Sequence, residues 1–293
     1  MKIKQLFAQA LALVLAACAQ QPAKPVPPPQ PKPLKIGLAL GGGAARGFAH
    51  IGVIKVLEAN GIKPDIVVGT SAGSVVGALY ASGLNGFQLQ SLALQIKQDQ
   101  LTDWTLPDRG VLKGEALQDF INKAVGNRPI EKLAIPFGAV ATDLDSGDMV
   151  IFRRGNTGMA VRASSTVPGV FQPVEINGHE YVDGGLTSPV PIKAAREMGA
   201  DFVIAVDIGQ KPHWNKPDGL LSELLQTFTI MGNSISRHEL GDADIVIRPH
   251  TANVAATDFD DRNQAIMEGE KAATEALAAL RTKLAQARSR SSQ

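Results

Sequence analysis

Near the start of the chain, a short apolar run twice stops at a glycine-rich turn and gives way at once to helical spacing. KIGLAL (35–40) runs into GGGAARG (41–47), after which Ile51, Ile54 and Leu57 recur at helical spacing as far as Gly61. DIVVG (65–69) runs into SAGSVVGALYAS (71–82), a second helix rich in small residues. Apolar runs without polar alternation suit strands buried on both faces. Strand, tight turn and helix in repetition call for a mostly parallel sheet covered by helices on both sides, an α/β fold.

The rest of the chain continues the pattern. Amphipathic helices are predicted near 86–99 and 113–125, and IPFGAVATDL (135–144) and MVIF (149–152) read as strands around the turn Asp145-Ser146-Gly147. EINGHEYVDGG (175–185) contains a hairpin with Asn177-Gly178 as its turn. A helix near 190–198, the strand DFVIAVDIG (201–209), a helix over 219–240, the strand DIVIRP (244–249) and a last helix over 262–286 follow. The stretch LLSELLQTFTIM (220–231) is apolar enough for a membrane lid, but a buried core helix is the expectation. No internal repeat and no linker interrupts residues 34–288, which are expected to form one domain, with a disordered tail over 289–293.

The N-terminus reads as an address. Lys2 and Lys4 precede an apolar run too short to span a bilayer, and small residues close it, as in a secretory signal peptide over 1–18. Its end, Leu15-Ala16-Ala17-Cys18, resembles a bacterial lipobox, which implies acylation of Cys18 and anchoring by lipid chains such as palmitate. Ala19 follows where an aspartate is associated with inner-membrane retention, so an outer-membrane site facing the periplasm is favoured over the inner membrane. Residues 19–33 are proline-rich and expected to act as a semi-rigid tether. Lys plus Arg (29) nearly equals Asp plus Glu (28), so no net field recruits nucleic acid. Cys18 is the sole cysteine, which leaves the folded body without disulfides, thiolate metal ligands or a cysteine nucleophile.

Three motifs carry chemistry. GTSAG (69–73) matches G-x-S-x-G in the strand–turn–helix setting that the motif demands, with Gly69 and Gly73 as the small flanks of a sharp turn. Ser71 is the candidate nucleophile, at a helix N-terminus that favours a developing anion. GGGAARG follows the first strand, where successive glycines (Gly41, Gly42, Gly43) let amides converge on an oxygen. Neither G-x-G-x-x-G spacing nor a G-K-[ST] ending fits it, which argues against a dinucleotide loop or an ATP loop. VDGG (182–185) ends a hairpin strand with Asp183, Gly184 and Gly185. A serine needs a base, and none of the five histidines (His50, His179, His213, His238 and His250) follows an acid in a supportive strand–loop context, so Asp183 is the best candidate.

In this order and with the linking segments ATDLDSGDMVIF (141–152), RASSTVPGVFQPV (162–174) and DFVIAVDIG, the motifs resemble the patatin-like phospholipase family. The resemblance covers most of the chain from Lys35 to about residue 210. It implies a three-layer α/β/α fold and a Ser–Asp dyad, with Ser71 as nucleophile and Asp183 as proton acceptor. It further implies an oxyanion hole in the Gly41–Gly43 loop, chiefly Gly42 and Gly43, and an Arg46 that braces the loop by bonding nearby carbonyls. Ala44 stands where many members have glycine. No metal or organic cofactor is expected, and membrane phospholipid or lysophospholipid is the expected substrate. Two alternatives make different predictions: a Ser-His-Asp esterase of small soluble esters, and a non-catalytic, lipid-tethered envelope protein that binds acyl chains or a partner.

Overall fold

The first strand, β1 (Ile36–Leu40), is buried along its whole length and ends at the glycine loop, from which a short 3-10 turn (Ala44–Gly47) leads into α1 (Phe48–Ala59). β2 (Ile66–Thr70) repeats the move and delivers the chain through Ser71 into α2 (Ala72–Ala81). The computed structural model describes residues 33–97, 101, 103, 110–209, 219–251, 254 and 260–291. The signal peptide over 1–18, Cys18 and the tether up to residue 32 lie outside the described residues, as does His213.

After α3 (Gly86–Gln95) and α4 (Glu115–Ala124) come β3 (Phe137–Asp143) and β4 (Met149–Phe152), then α5 (Thr157–Ser164). The hairpin β5 (Val174–Ile176) and β6 (His179–Asp183) precedes α6 (Ile192–Glu197) and β7 (Phe202–Val206). Then follow α7 (Leu220–Glu239), β8 (Ile245–Ile247) and α8 (Arg262–Ser291). The strands form one sheet in the order β5-β6-β3-β2-β1-β7-β8, with β4 also paired to β3. From β3 to β8 every neighbouring pair is parallel, and the β4, β5 and β6 pairings are antiparallel. The expected mostly parallel sheet is therefore present, edged by an antiparallel hairpin whose Asn177 and Gly178 both take the positive φ (55° and 82°) that such a turn needs.

Alternation along the strands builds two cores. Leu38, Leu40, Val67, Phe202 and Ile204 pack with α1, α2 and α8, while Ala39, Val68, Val203 and Ala205 pack with Ile192, Ala194 and Ala195 of α6. Helices thus cover both faces of the sheet, in three α/β/α layers. Residues from Pro33 onwards cluster as one compact unit. Among the described residues, no helix is long and apolar enough to cross a membrane.

Two expectations need correction, and one helix was not expected at all. α5 gave no distinct helical signal, because its core positions are small (Ala160, Ala163, Ser164); Asn156 caps it by accepting the Met159 N–H. The expected tail from 289 is helical as far as Ser291, since Leu280, Leu284 and Ala287 keep that end of α8 against the core and no breaker intervenes. α7 is not a buried core helix. None of its described side chains is fully buried, and Leu220, Leu224 and Met231 form an exposed row at helical spacing.

Candidate active site

The turn between β2 and α2 is held in a conformation that side chains seldom adopt. Ser71 sits at φ 53°, ψ −124° and is 9% exposed. The flanking glycines are required by contact. A Cβ at Gly69 would lie 2.2 Å from the Gly73 carbonyl oxygen, and one at Gly73 would lie 2.0 Å from that of Leu40. Around this turn, the Ser71 N–H donates to Ser164 Oγ (2.9 Å), whose hydroxyl donates to the Val140 carbonyl (2.6 Å). The Thr70 hydroxyl donates to the Ser188 carbonyl (2.8 Å), and the Ser74 hydroxyl donates back to Ser71 O (2.7 Å).

Asp183 ends β6 opposite Ala141 of β3 and is 1% exposed. Its N–H donates to the Thr166 carbonyl (2.8 Å) and its carbonyl accepts the Thr142 hydroxyl (3.0 Å). Oδ1 accepts the Gly185 N–H at 2.7 Å, whereas Oδ2 has no hydrogen-bond partner among the described residues. Burial pushes the carboxyl up from 3.8 to about 6, while the nearby Ser71 hydroxyl and the Gly185 N–H draw it back down. The Ser71 hydroxyl thus lies near enough to the carboxyl to favour its charged form. Gly184 and Gly185 are also contact-driven: a Cβ at Gly184 would meet the Val140 carbonyl at 2.2 Å, and one at Gly185 would meet Asp183 Oδ1 and the Phe228 ring at 3.0 and 3.1 Å.

The glycine loop closes the third side. A Cβ at Gly42 would stand 3.2 Å from that of Ser71, so the loop and Ser71 are neighbours. The amides are divided in their duties. Gly41 N–H donates to Val206 O (3.0 Å) and Gly42 N–H to Pro189 O (2.9 Å), which commits both to the protein, while the Gly43 N–H has no acceptor among the described residues. Of the expected trio, Gly43 is thus the loop donor left for a ligand. Arg46 is buried and its Nε–H donates to the Gly43 carbonyl (3.0 Å), the kind of contact expected of a brace; burial lowers its guanidinium to about 10. Ala44 takes a left-handed φ of 52°.

His50 is a further brace that the sequence did not reveal. It is fully buried with Nε2 2.8 Å from the Gly41 carbonyl, so Nε2 carries the proton, and burial lowers the ring to about 4. Among the described residues Nδ1 has no partner, and the ring serves the loop rather than the serine. His179 is exposed, 3.1 Å from Asp143 Oδ2. Ser164 and Thr166 lie in the segment 162–174 that carries the family resemblance, but nothing in the sequence assigned either of them, or Ser188, a role at the site. A cavity of about 800 Å³ lined by Ile130, Leu133, Phe137, Ile151 and Met198 includes neither Ser71 nor Asp183 among its lining residues.

A hydroxyl on a strained turn, together with a buried carboxylate oxygen and a loop amide that both lack partners among the described residues, can perform nucleophilic acyl transfer. The comparisons agree with that geometry. The family model for patatin-like phospholipases matches residues 38–196, more than half of the chain. An uncharacterized NTE family protein of Mycobacterium tuberculosis is 40% identical over 176 residues, 59% of this chain and 49% of its own. Patatin-like phospholipase domain-containing protein 6 of Homo sapiens is 37% identical over 184 residues, 60% of this chain and 13% of its own. The chain thus spans about half or less of the length of these relatives. The crystal structure of VipD from Legionella pneumophila has the same fold, with a TM-score of 0.58 at 14% identity over 91% of this chain and 73% of that one. The chain belongs to the patatin-like phospholipase family.

Proposed function

We propose that the protein is a serine hydrolase of fatty-acyl lipid esters, acting on phospholipids or lysophospholipids through Ser71 and Asp183. The observation that carries this reading is the pairing of a strained, nearly buried Ser71 with a buried Asp183 whose Oδ2 has no hydrogen-bond partner among the described residues and whose carboxyl is raised to about 6. A carboxylate with ordinary acidity is a poor base, and a raised one is better matched to the task.

Asp183 Oδ2 takes the Ser71 proton as Oγ attacks the acyl carbonyl carbon, and the carbonyl electron pair moves onto oxygen. The Gly43 amide and the Ala72 amide, next after the nucleophile, receive that oxyanion. Its collapse breaks the ester bond, and the lipid alcohol leaves with the proton held by Asp183. A water then gives a proton to Asp183 and attacks the acyl-Ser71; fatty acid departs and the serine recovers its proton. Arg46 and His50 hold the loop that presents Gly43.

Fatty-acid release from lysophospholipid by the wild type, Ser71→Ala, Asp183→Asn and His179→Ala tests this reading. Release falls by about three orders of magnitude or more in the first two variants and persists in the third. Release that survives Ser71→Ala rejects the proposal. Anchoring to the cell envelope through an acylated Cys18 belongs to the same reading. It requires palmitate incorporation that Cys18→Ser abolishes.

A further inference from the structure

The nucleophile turn and the glycine loop have a shared support that lies far away in the chain. The Ser188 carbonyl accepts the Thr70 hydroxyl, one residue before Ser71, and the Pro189 carbonyl accepts the Gly42 N–H. The segment 188–190 therefore fixes both halves of the site at once. It is fixed in turn by a single carboxylate: Glu239 Oε1 accepts the Ser188 hydroxyl at 2.5 Å, and Oε2 accepts the Val190 N–H at 3.3 Å. Glu239 is the last residue of α7, the helix whose Phe228 packs on Gly185 beside Asp183.

We propose that Glu239 is a positioning residue, a carboxylate clamp that holds segment 188–190 and through it keeps the Ser71 turn and the Gly42 loop in register with Asp183. The inference rests on the hydrolase reading above. Its chemistry is one-sided: only the ionised carboxylate accepts from both the hydroxyl and the amide, and protonation removes one acceptor. Burial, which is opposed by the bonds from Ser188 and Val190, raises Glu239 to about 7; Asp242 on the following turn raises it further and Lys193 of α6 lowers it. The clamp is thus closed above about pH 7 and weakened below it, within the range where the enzyme would work.

The test uses the full chain and reads two rates across pH: labelling of Ser71 by a fluorophosphonate probe, located by mass spectrometry, and hydrolysis of a soluble short-chain ester. Glu239→Gln lacks the charge but keeps the size. It is expected to label about ten-fold more slowly than the wild type near pH 8.5 and at nearly the same rate near pH 5.5, because misplacement of a reacting group carries a cost of this order or larger. The ester assay should show the same pH-dependent ratio in kcat, with KM within about two-fold, since the clamp acts on alignment rather than binding. Ser188→Ala should slow the wild type but add nothing in the Glu239→Gln background, as expected for two members of one linkage. A ratio that does not change with pH, or equal losses from Ser188→Ala in both backgrounds, overturns the clamp. Labelling that behaves as expected without any ester hydrolysis would leave the clamp standing and reject the hydrolase reading. An unreactive Ser71 rejects both.

Discussion

Asp183 is held at a cost to the fold. With the carboxyl at 3.8 when unfolded and about 6 when folded, the native state binds the extra proton between those values. Stability therefore falls as pH rises through that window, and the full penalty, on the order of 3 kcal/mol, is present above pH 6. Asp183→Asn is expected to abolish turnover yet raise unfolding stability by about 1–3 kcal/mol at pH 8, with the gain shrinking towards pH 4. Urea titrations at several pH values check this. The comparison must be variant minus wild type, because His50 acts in an overlapping window with the opposite sign. Depressed from 6.5 to about 4, it loses the native state stability as pH falls through that range. In the active enzyme, the low-pH limb of kcat/KM should include the Asp183 value of about 6. Ala44 presents a different residue-scale cost. Its left-handed φ of 52° is penalised for any residue with a Cβ, so Ala44→Gly should stabilise the chain by about 0.5–1 kcal/mol after the unfolded-state entropy of glycine is subtracted. A loss of stability by chemical denaturation would contradict that account.

The elements around the site differ in what they contribute. α2 and the β2–α2 turn are rigid because backbone meets backbone at Gly69 and Gly73, with no room for a methyl group. α7 is the opposite case: it touches the site on one side through Phe228 and Glu239 and turns Leu220 (75% exposed), Leu224 and Met231 to the outside. Its two faces should respond differently to substitution. Leu224→Gln is expected to change stability by less than about 0.5 kcal/mol. Phe228→Ala should cost about 1–2 kcal/mol, since its ring is only half-buried, and should reduce turnover as well, because the ring backs Gly185, whose N–H fixes the Asp183 carboxylate. Thermal unfolding together with the ester assay separates the two. Equal effects would mean that α7 is not seated on the Asp183 turn.

At the scale of the molecule, α8 lies outside the matched span of 38–196 and still bears on the site. It crosses α1 with glycines on both sides: a Cβ at Gly52 would be 2.0 Å from the Ile266 carbonyl, and one at Gly269 would be 2.0 Å from the Ala49 carbonyl. The ion pair of Lys55 with Glu270, and Arg281 donating to Asn60 (2.7 Å), tie the same helices. His50 lies on α1 next to Ala49, so the helix crossing sets the position of the ring that holds Gly41. Gly269→Val should force the backbones apart, cost about 3 kcal/mol or more and lower activity without touching a site residue. Unchanged stability would show that α8 can slide on α1 freely.

What the sequence determined by itself was local. The α/β class, the turn at Ser71 and the small flanks at Gly69 and Gly73 were readable because periodicity and turn chemistry involve neighbours in the chain. Pairing across the fold was not readable. Ser164 supports the Ser71 amide across 93 positions and Ser188 supports Thr70 across 118, and no local pattern announces either. The exposure of α7 also escaped, because an apolar row looks the same whether or not a partner covers it. The properties that matter most for chemistry were decided by the tertiary structure alone: an Asp183 oxygen without a partner among the described residues, the raised pKa of that carboxyl, and the commitment of two loop amides to carbonyls. Each depends on which groups exclude water from a given atom, and that is fixed only when distant segments pack.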